Sequence, residues 1–177
     1  MRSLQFVKGV NITTSQNNTL VENCFTSQYN VYEIYVTGVS LATSQTSQSD
    51  LNMRFIDSSD NVISDSEYDY AHRIMRADAG FTEQKDTGSS SFLRAFSEST
   101  DNPPETQSAN VTVFNPNSSS SYTYIKYQNN SASSGLYIGL KGLGVHKSNE
   151  TITGFQLLSI LSSRPYDTGT IMVYGVS

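Results

Sequence analysis

Five carboxylates crowd one short run of the sequence, DSSDNVISDSEYD, at Asp57, Asp60, Asp65, Glu67 and Asp69. Calcium takes about six to eight oxygen ligands, often from Asp side chains gathered on one loop. Asp57, Asp60 and Asn61 could set two carboxylates and an amide around such an ion. The run lacks the DxDxDG register of an EF-hand, however, and Asp, Ser and Asn are also the residues that close a turn through their own side chains. The reading is a turn, with a calcium ion as the alternative. Glycoside hydrolysis needs two carboxyl groups ~5–10 Å apart across a groove. Acids on opposing strands of any β-sandwich would meet that condition, so the sequence singles out no pair.

The two histidines, His72 in YAHRI and His146, lie in no recognisable motif, and His72 reads as a half-exposed strand histidine. Serine is so frequent that any Ser–His–Asp triplet would be arbitrary, and no GxSxG elbow, Gly-rich phosphate loop or HExxH is present. Cys24 is the only cysteine, which excludes an internal disulfide and a Cys-based zinc site. It reads as a small buried hydrophobe. Tyr68, Tyr70, Tyr122, Tyr124 and Tyr127 could stack on sugar rings where strand alternation exposes them, or be half-buried strand residues. The six Asn-X-Ser/Thr sequons, such as those at Asn11 and Asn149, follow from composition. No catalytic, cofactor-binding or metal residue is therefore assigned, and the chain reads as no enzyme.

Composition says which elements must carry these groups. Hydrophobic residues are 36% of the chain and charged residues 15%, below the about 45–50% and 25% of an ordinary globular protein. Hydroxyls and amides fill the gap, with 29 Ser, 17 Thr and 14 Asn in 177 residues. Such side chains compete with the helix for backbone hydrogen bonds and populate turns and the solvent faces of strands. Eleven Tyr and eight Phe also favour sheet. The class is all-β. A net charge of −5 weighs against nucleic acid as a partner. No apolar run approaches the roughly 18 residues of a membrane span, so no membrane is expected. The first residues lack the apolar core of a secretory signal, which predicts synthesis in a cytoplasm without a signal peptide.

Along the chain, residues 1–14 are an N-terminal arm or short strands, and residues 15–177 form one β-sandwich domain. Strands are expected at 20–25, 31–39 with Tyr32, Ile34 and Val36 inward, and 51–56 with Leu51, Met53 and Phe55 inward and Asn52 and Arg54 outward. Residues 66–77 are a strand or one short helix. Residues 78–91 read as a loop and 92–96 as a short strand. Polar loops are expected at 41–49 and around Pro103 and Pro104. Residues 111–114 and 122–128 form a hairpin, 129–134 a turn, and 135–145 a strand with Leu136, Ile138 and Leu140 on one side. Its four glycines suggest a bulge or a close backbone approach. The last quarter, residues 151–177, reads as a closing β-hairpin whose inner face supplies Phe155, Leu157 and Leu161. About eight to ten strands with turn signals every ~8–12 residues indicate a sandwich or barrel. A jelly roll fits that number best, with another Greek-key winding as the alternative.

The segments VYEIYV (residues 31–36), FIDSSDNVISDSEYDYA, VTVFNPNSSSSYTYIKYQ and FQLLSILSSRPYDTGTIMVYGV together resemble a family of small β-rich virion proteins of tailed bacteriophages, particularly those of marine and freshwater bacteria. The resemblance covers about residues 30–176. It departs from the family pattern at Arg164 and Pro165, where small residues are usual, and it carries over no functional residue. It implies a jelly-roll-like module on the virion surface, a capsid decoration protein of the cement or knob type, with residues 1–14 as the natural attachment segment. The alternative is a tail-fibre tip or receptor-binding module that adheres to host surface polysaccharide. A third reading, a polysaccharide depolymerase, rests only on the abundant acids. The implied partners are the major capsid protein or tail proteins, further copies of the chain as a trimer, and a glycan.

Overall fold

The computed structural model describes residues 3–42, 49–96, 98–99, 105–133, 135–161 and 163–177. Within them the backbone forms strands and no helix: β1 (Leu4–Ile12), β2 (Asn18–Val21), β3 (Val31–Leu41), β4 (Ser49–Asp57), β5 (Tyr68–Arg76), β6 (Gly80–Ser90), β7 (Glu98–Ser99), β8 (Gln107–Phe114), β9 (Thr123–Ser133), β10 (Leu136–His146), β11 (Ile152–Ser159) and β12 (Tyr166–Val176). Alternation does what the sequence predicts in the central strands. Tyr32, Ile34 and Val36 of β3, and Leu51, Met53 and Phe55 of β4, are all buried and meet in one core.

Two antiparallel sheets result. The larger has the order β1-β12-β3-β8-β9-β10-β5-β6 and the smaller β2-β11-β4-β7. The first strand pairs with the last, β2 with β11, β3 with β8 and β4 with β7. That is the pairing of one long hairpin folded back on itself. Rolling it sideways brings β12 against β3 and β11 against β4. The winding is a jelly roll, which resolves the choice that strand spacing left open. Two insertions enlarge it. The β9–β10 and β5–β6 pairs join edge to edge and continue the larger sheet outward from β8.

This winding corrects the closing hairpin. β11 and β12 are consecutive but lie in different sheets, β11 between β2 and β4 and β12 between β1 and β3. The turn between them crosses from one layer to the other. Phe155 and Leu157 are buried as expected, whereas Leu161 is exposed, because it lies in that crossing rather than on a strand.

Other departures have local causes. Of the two readings for residues 1–14, the backbone takes the strand, with Leu4 to Ile12 bonded along β12 and one bulge between Phe6 and Lys8. The expected strand at 20–25 ends at Val21, where Asn23 takes a left-handed φ of 53°. Cys24 and Phe25 then both donate backbone N–H groups to the Thr153 carbonyl. Residues 66–77 resolve to strand β5. The expected loop at 78–91 is strand β6, missed because an edge strand exposed on both faces carries no apolar alternation. The expected strand at 92–96 reduces to one bridge, Leu93 to Met53. The expected turn at 129–134 is largely the continuation of β9, paired on both sides. Asn52, expected outward, is fully buried. The strand expected at 135–145 has an unbroken register, so Gly139, Gly142 and Gly144 answer close packing and no bulge, while Gly135 precedes the strand at a left-handed φ of 78°. Of the two polar loops, residues 43–48 and 100–104 lie outside the described residues.

Between the layers sit three fully buried tyrosines, Tyr32, Tyr68 and Tyr166. The Tyr166 hydroxyl on β12 donates to the Leu157 carbonyl on β11 and meets the Thr19 hydroxyl on β2, both at 2.9 Å. The Tyr68 hydroxyl on β5 accepts the Phe55 N–H of β4 at 3.0 Å and donates to the Ile63 carbonyl. Tyr32 uses its hydroxyl on both the N–H and the carbonyl of Thr26. Replacing Tyr166 with Phe removes its bonds to both the Leu157 carbonyl and the Thr19 hydroxyl, so Y166F should lose about 1–2 kcal/mol in denaturant unfolding with an unchanged m-value. A Cβ at Gly154 would run into the Val21 carbonyl oxygen, which neighbouring backbone holds in place. G154A should therefore cost about 1–3 kcal/mol; a wild-type melting temperature would contradict this packing.

Candidate functional site

The insertions give the larger sheet a half with two distinct faces. Inward, Ile125, Tyr127, Ile138, Leu140, Tyr68 and His72 are buried. Outward, the register lines up Lys126, Leu143, Ala71 and Lys85 across four strands, and beside them Gln128, Lys141, Arg73 and Glu83. These rows line a groove of about 780 Å³. Four of the chain's eleven Lys and Arg side chains stand round it, against the single carboxylate of Glu83. The face is therefore cationic on a molecule whose net charge is −5. Arg73 bonds to Glu83 at 3.0 Å and also lies 5.5 Å from the centre of the Phe81 ring. Both partners of that ion pair are well exposed, so it adds little stability.

Aromatic and apolar side chains share the face. Phe81, Tyr137 and Leu143 are 68%, 75% and 62% exposed, and Tyr124 is also exposed. Of the five tyrosines considered for sugar stacking, Tyr68 and Tyr127 are buried and Tyr70 is half-buried. Tyr122 and Tyr124 remain exposed, with ring centres 6.5 Å apart. Tyr137 and Phe81, which sequence reasoning passed over, complete the set, and only the sheet register reveals them as outward neighbours of the cations.

The five crowded carboxylates do not converge. Asp57 closes its own turn, with one oxygen accepting the backbone N–H groups of Ser59 and Asn61. The Asn61 bond foremost, and that of Ser59, hold its carboxyl below the usual range. Asp69 pairs with Lys147 at 2.8 Å and accepts the Gly88 N–H, which lower it likewise. The turn is formed as expected. Cys24 is buried, its thiol directed at the Val21 carbonyl and pushed up to about 12 by burial.

The histidines are both buried, which corrects the half-exposed reading of His72. His72 Nδ1 lies 3.2 Å from the Tyr127 hydroxyl and Nε2 lies 3.3 Å from the Gln84 side-chain oxygen. The consistent neutral form donates Nε2–H to Gln84 and accepts at Nδ1 from Tyr127. His146 closes β10 in an aromatic wall, 5.0 Å from the Tyr68 ring centre and 5.9 Å from that of Phe55. Its Nε2 points at two carboxylates, Glu67 at 3.2 Å and Glu150 at 3.5 Å. Among the described residues this is the one group whose His and carboxylate atoms come close enough to hold a metal ion, all within 4.8 Å of one another. The His146-x-x-x-Glu150 spacing was visible in the sequence; Glu67, 79 residues from His146, was not.

Burial pushes His72 below the usual imidazole range, with Gln84 partly offsetting it and the Arg94 charge adding to it. The folded state then holds fewer protons on this ring than the unfolded chain does. Its contribution to stability is complete above the unfolded pKa of about 6.5 and declines as acidification charges the unfolded ring. His146 is shifted in the same direction, first by burial. Denaturation curves from about pH 8 to pH 5 should thus show a shallower loss of stability in H72Q than in wild type. Parallel losses would exclude His72 as a titrating group.

No protein-family model matches the chain and no curated protein matches it significantly.

Proposed function

We propose that this protein is a non-enzymatic virion structural protein, a decoration protein on the outside of a bacteriophage head. Its outer cationic and aromatic face is the attachment surface. That face is the observation that carries the reading. Aromatic, Met and Arg side chains are enriched in protein interfaces, and here Phe81, Tyr124, Tyr137 and Arg73 stand together on a rigid sheet with Met75 in the same rows. The jelly-roll winding supports the reading too, since virus shells and lectins use it repeatedly. Neither histidine pairs with a serine or threonine hydroxyl: His72 meets Tyr127 and Gln84, and His146 meets Glu67 and Glu150. The protein works by shape and adhesion.

The partner surface is acidic. Protein added to undecorated heads should sediment with them, and the double variant K126E/K141E should attach about tenfold or more weakly, most clearly at low salt. Localisation at the tail tip alone would overturn decoration. A second reading is favoured by one feature, the exposed tyrosines beside the cations. Rings that stack on pyranoses, next to lysines that pair with uronate or sulfate, would make a receptor-binding module for acidic host polysaccharide. Retention on host cells, lost in Y124A/Y137A, is its test. Self-association as a trimer belongs to both readings, and sedimentation at high concentration should show it; a strict monomer would count against it.

A further inference from the structure

We propose that Glu67, His146 and Glu150 form a zinc site that fastens the inserted strands to the roll. The three groups come from separate places. Glu67 leads into β5, His146 ends β10, and Glu150 lies in the turn that enters β11. A tetrahedral zinc bound through nitrogen and oxygen at ~2.0–2.2 Å spaces its ligands ~3.3–3.6 Å apart. His146 Nε2 stands 3.2 Å from Glu67 Oε2 and 3.5 Å from Glu150 Oε1. The ring is fully buried while both carboxylates are partly exposed, so an ion reaches them from solvent and a water completes the shell.

The hydrogen-bond inventory points the same way. Nε2 carries at most one hydrogen yet faces two carboxylates, leaving one of them without a matched donor there. On the far side of the ring, Nδ1 is buried and has no partner. Directly across the ladder stands Thr123, whose hydroxyl is also buried and without a partner. A metal on Nε2 places the ring hydrogen on Nδ1, and metal-bound histidines hold that hydrogen with a nearby acceptor. Thr123, across the ladder, supplies that acceptor once its side chain rotates toward Nδ1, since neither atom has a hydrogen-bond partner as it stands. One ion thus matches both carboxylates. Calcium and magnesium prefer all-oxygen shells, so the imidazole selects zinc or a similar first-row ion.

The test is calorimetric titration of zinc into untagged, chelator-treated protein. One equivalent should bind with a Kd of about 10 μM or tighter. E67Q and E150Q, both on partly exposed side chains, should weaken binding by about 10–100-fold, while E83Q on the outer face matches wild type. Cobalt in place of zinc should give the visible absorption of a four-coordinate centre in wild type and not in E150Q. T123V should keep the one-to-one stoichiometry but lose affinity several-fold. No saturable binding up to about 1 mM, or equal binding by wild type, E67Q and E150Q, overturns the site. Unchanged zinc affinity in T123V removes Thr123 from it.

Discussion

Three phenolic hydroxyls hold the two layers of this protein in register. A sandwich core made of apolar side chains alone is held by non-directional burial, which tolerates sliding of one sheet over the other. Tyr166 and Tyr68 remove that freedom, because each is rooted in the larger sheet and hydrogen-bonded to backbone associated with the smaller one. Tyr32 does the same for the segment leading from β2 to β3. Burial pushes the Tyr68 and Tyr166 phenols well above their usual range, so they stay neutral and keep donating. A buried hydroxyl without partners would be costly, and these are fully used.

With the roll fixed, the insertions are free to do something else. Four of the eight strands of the larger sheet lie outside the eight-strand winding, and their inner side is closed by residues 91–96, where Leu93, Ala95 and Phe96 are buried. Their outer side lies beyond the core and can carry whatever side chains a partner requires. Cations and aromatic rings interleave there on a stiff support, with Glu83 the one carboxylate among the residues lining the groove. The His146 cluster sits where the added strands rejoin the roll, the place at which a cross-link would most restrict their motion.

The sequence showed the class of the fold, the inward sets of β3 and β4, and the turn at Asp57, because period-two alternation and side-chain-closed turns are local properties. It failed where the signal was not local. β6 lies at an edge exposed on both faces and so has no apolar period. For residues 1–14 the sequence left arm and strand both open, and pairing along β12 decided for the strand although Leu4 and Phe6 lie in the open. The aromatic–cationic face was invisible because Phe81, Lys126 and Tyr137 come from three different strands, and only the pairing register sets them side by side.

The closing segment shows the division most clearly. Its residues alone determined two strands and a turn, since apolar runs broken by Ser, Pro, Asp and Gly permit little else. They also determined that Phe155 and Leu157 would be buried. Whether the two strands pair with each other is a different matter, because adjacent strands can as well be separated into two layers. That was decided by partners distant in the chain: β1 and β3 enclose β12, and β2 and β4 enclose β11. Each strand already has a neighbour on both edges, so no backbone hydrogen bonds remain for a hairpin between them.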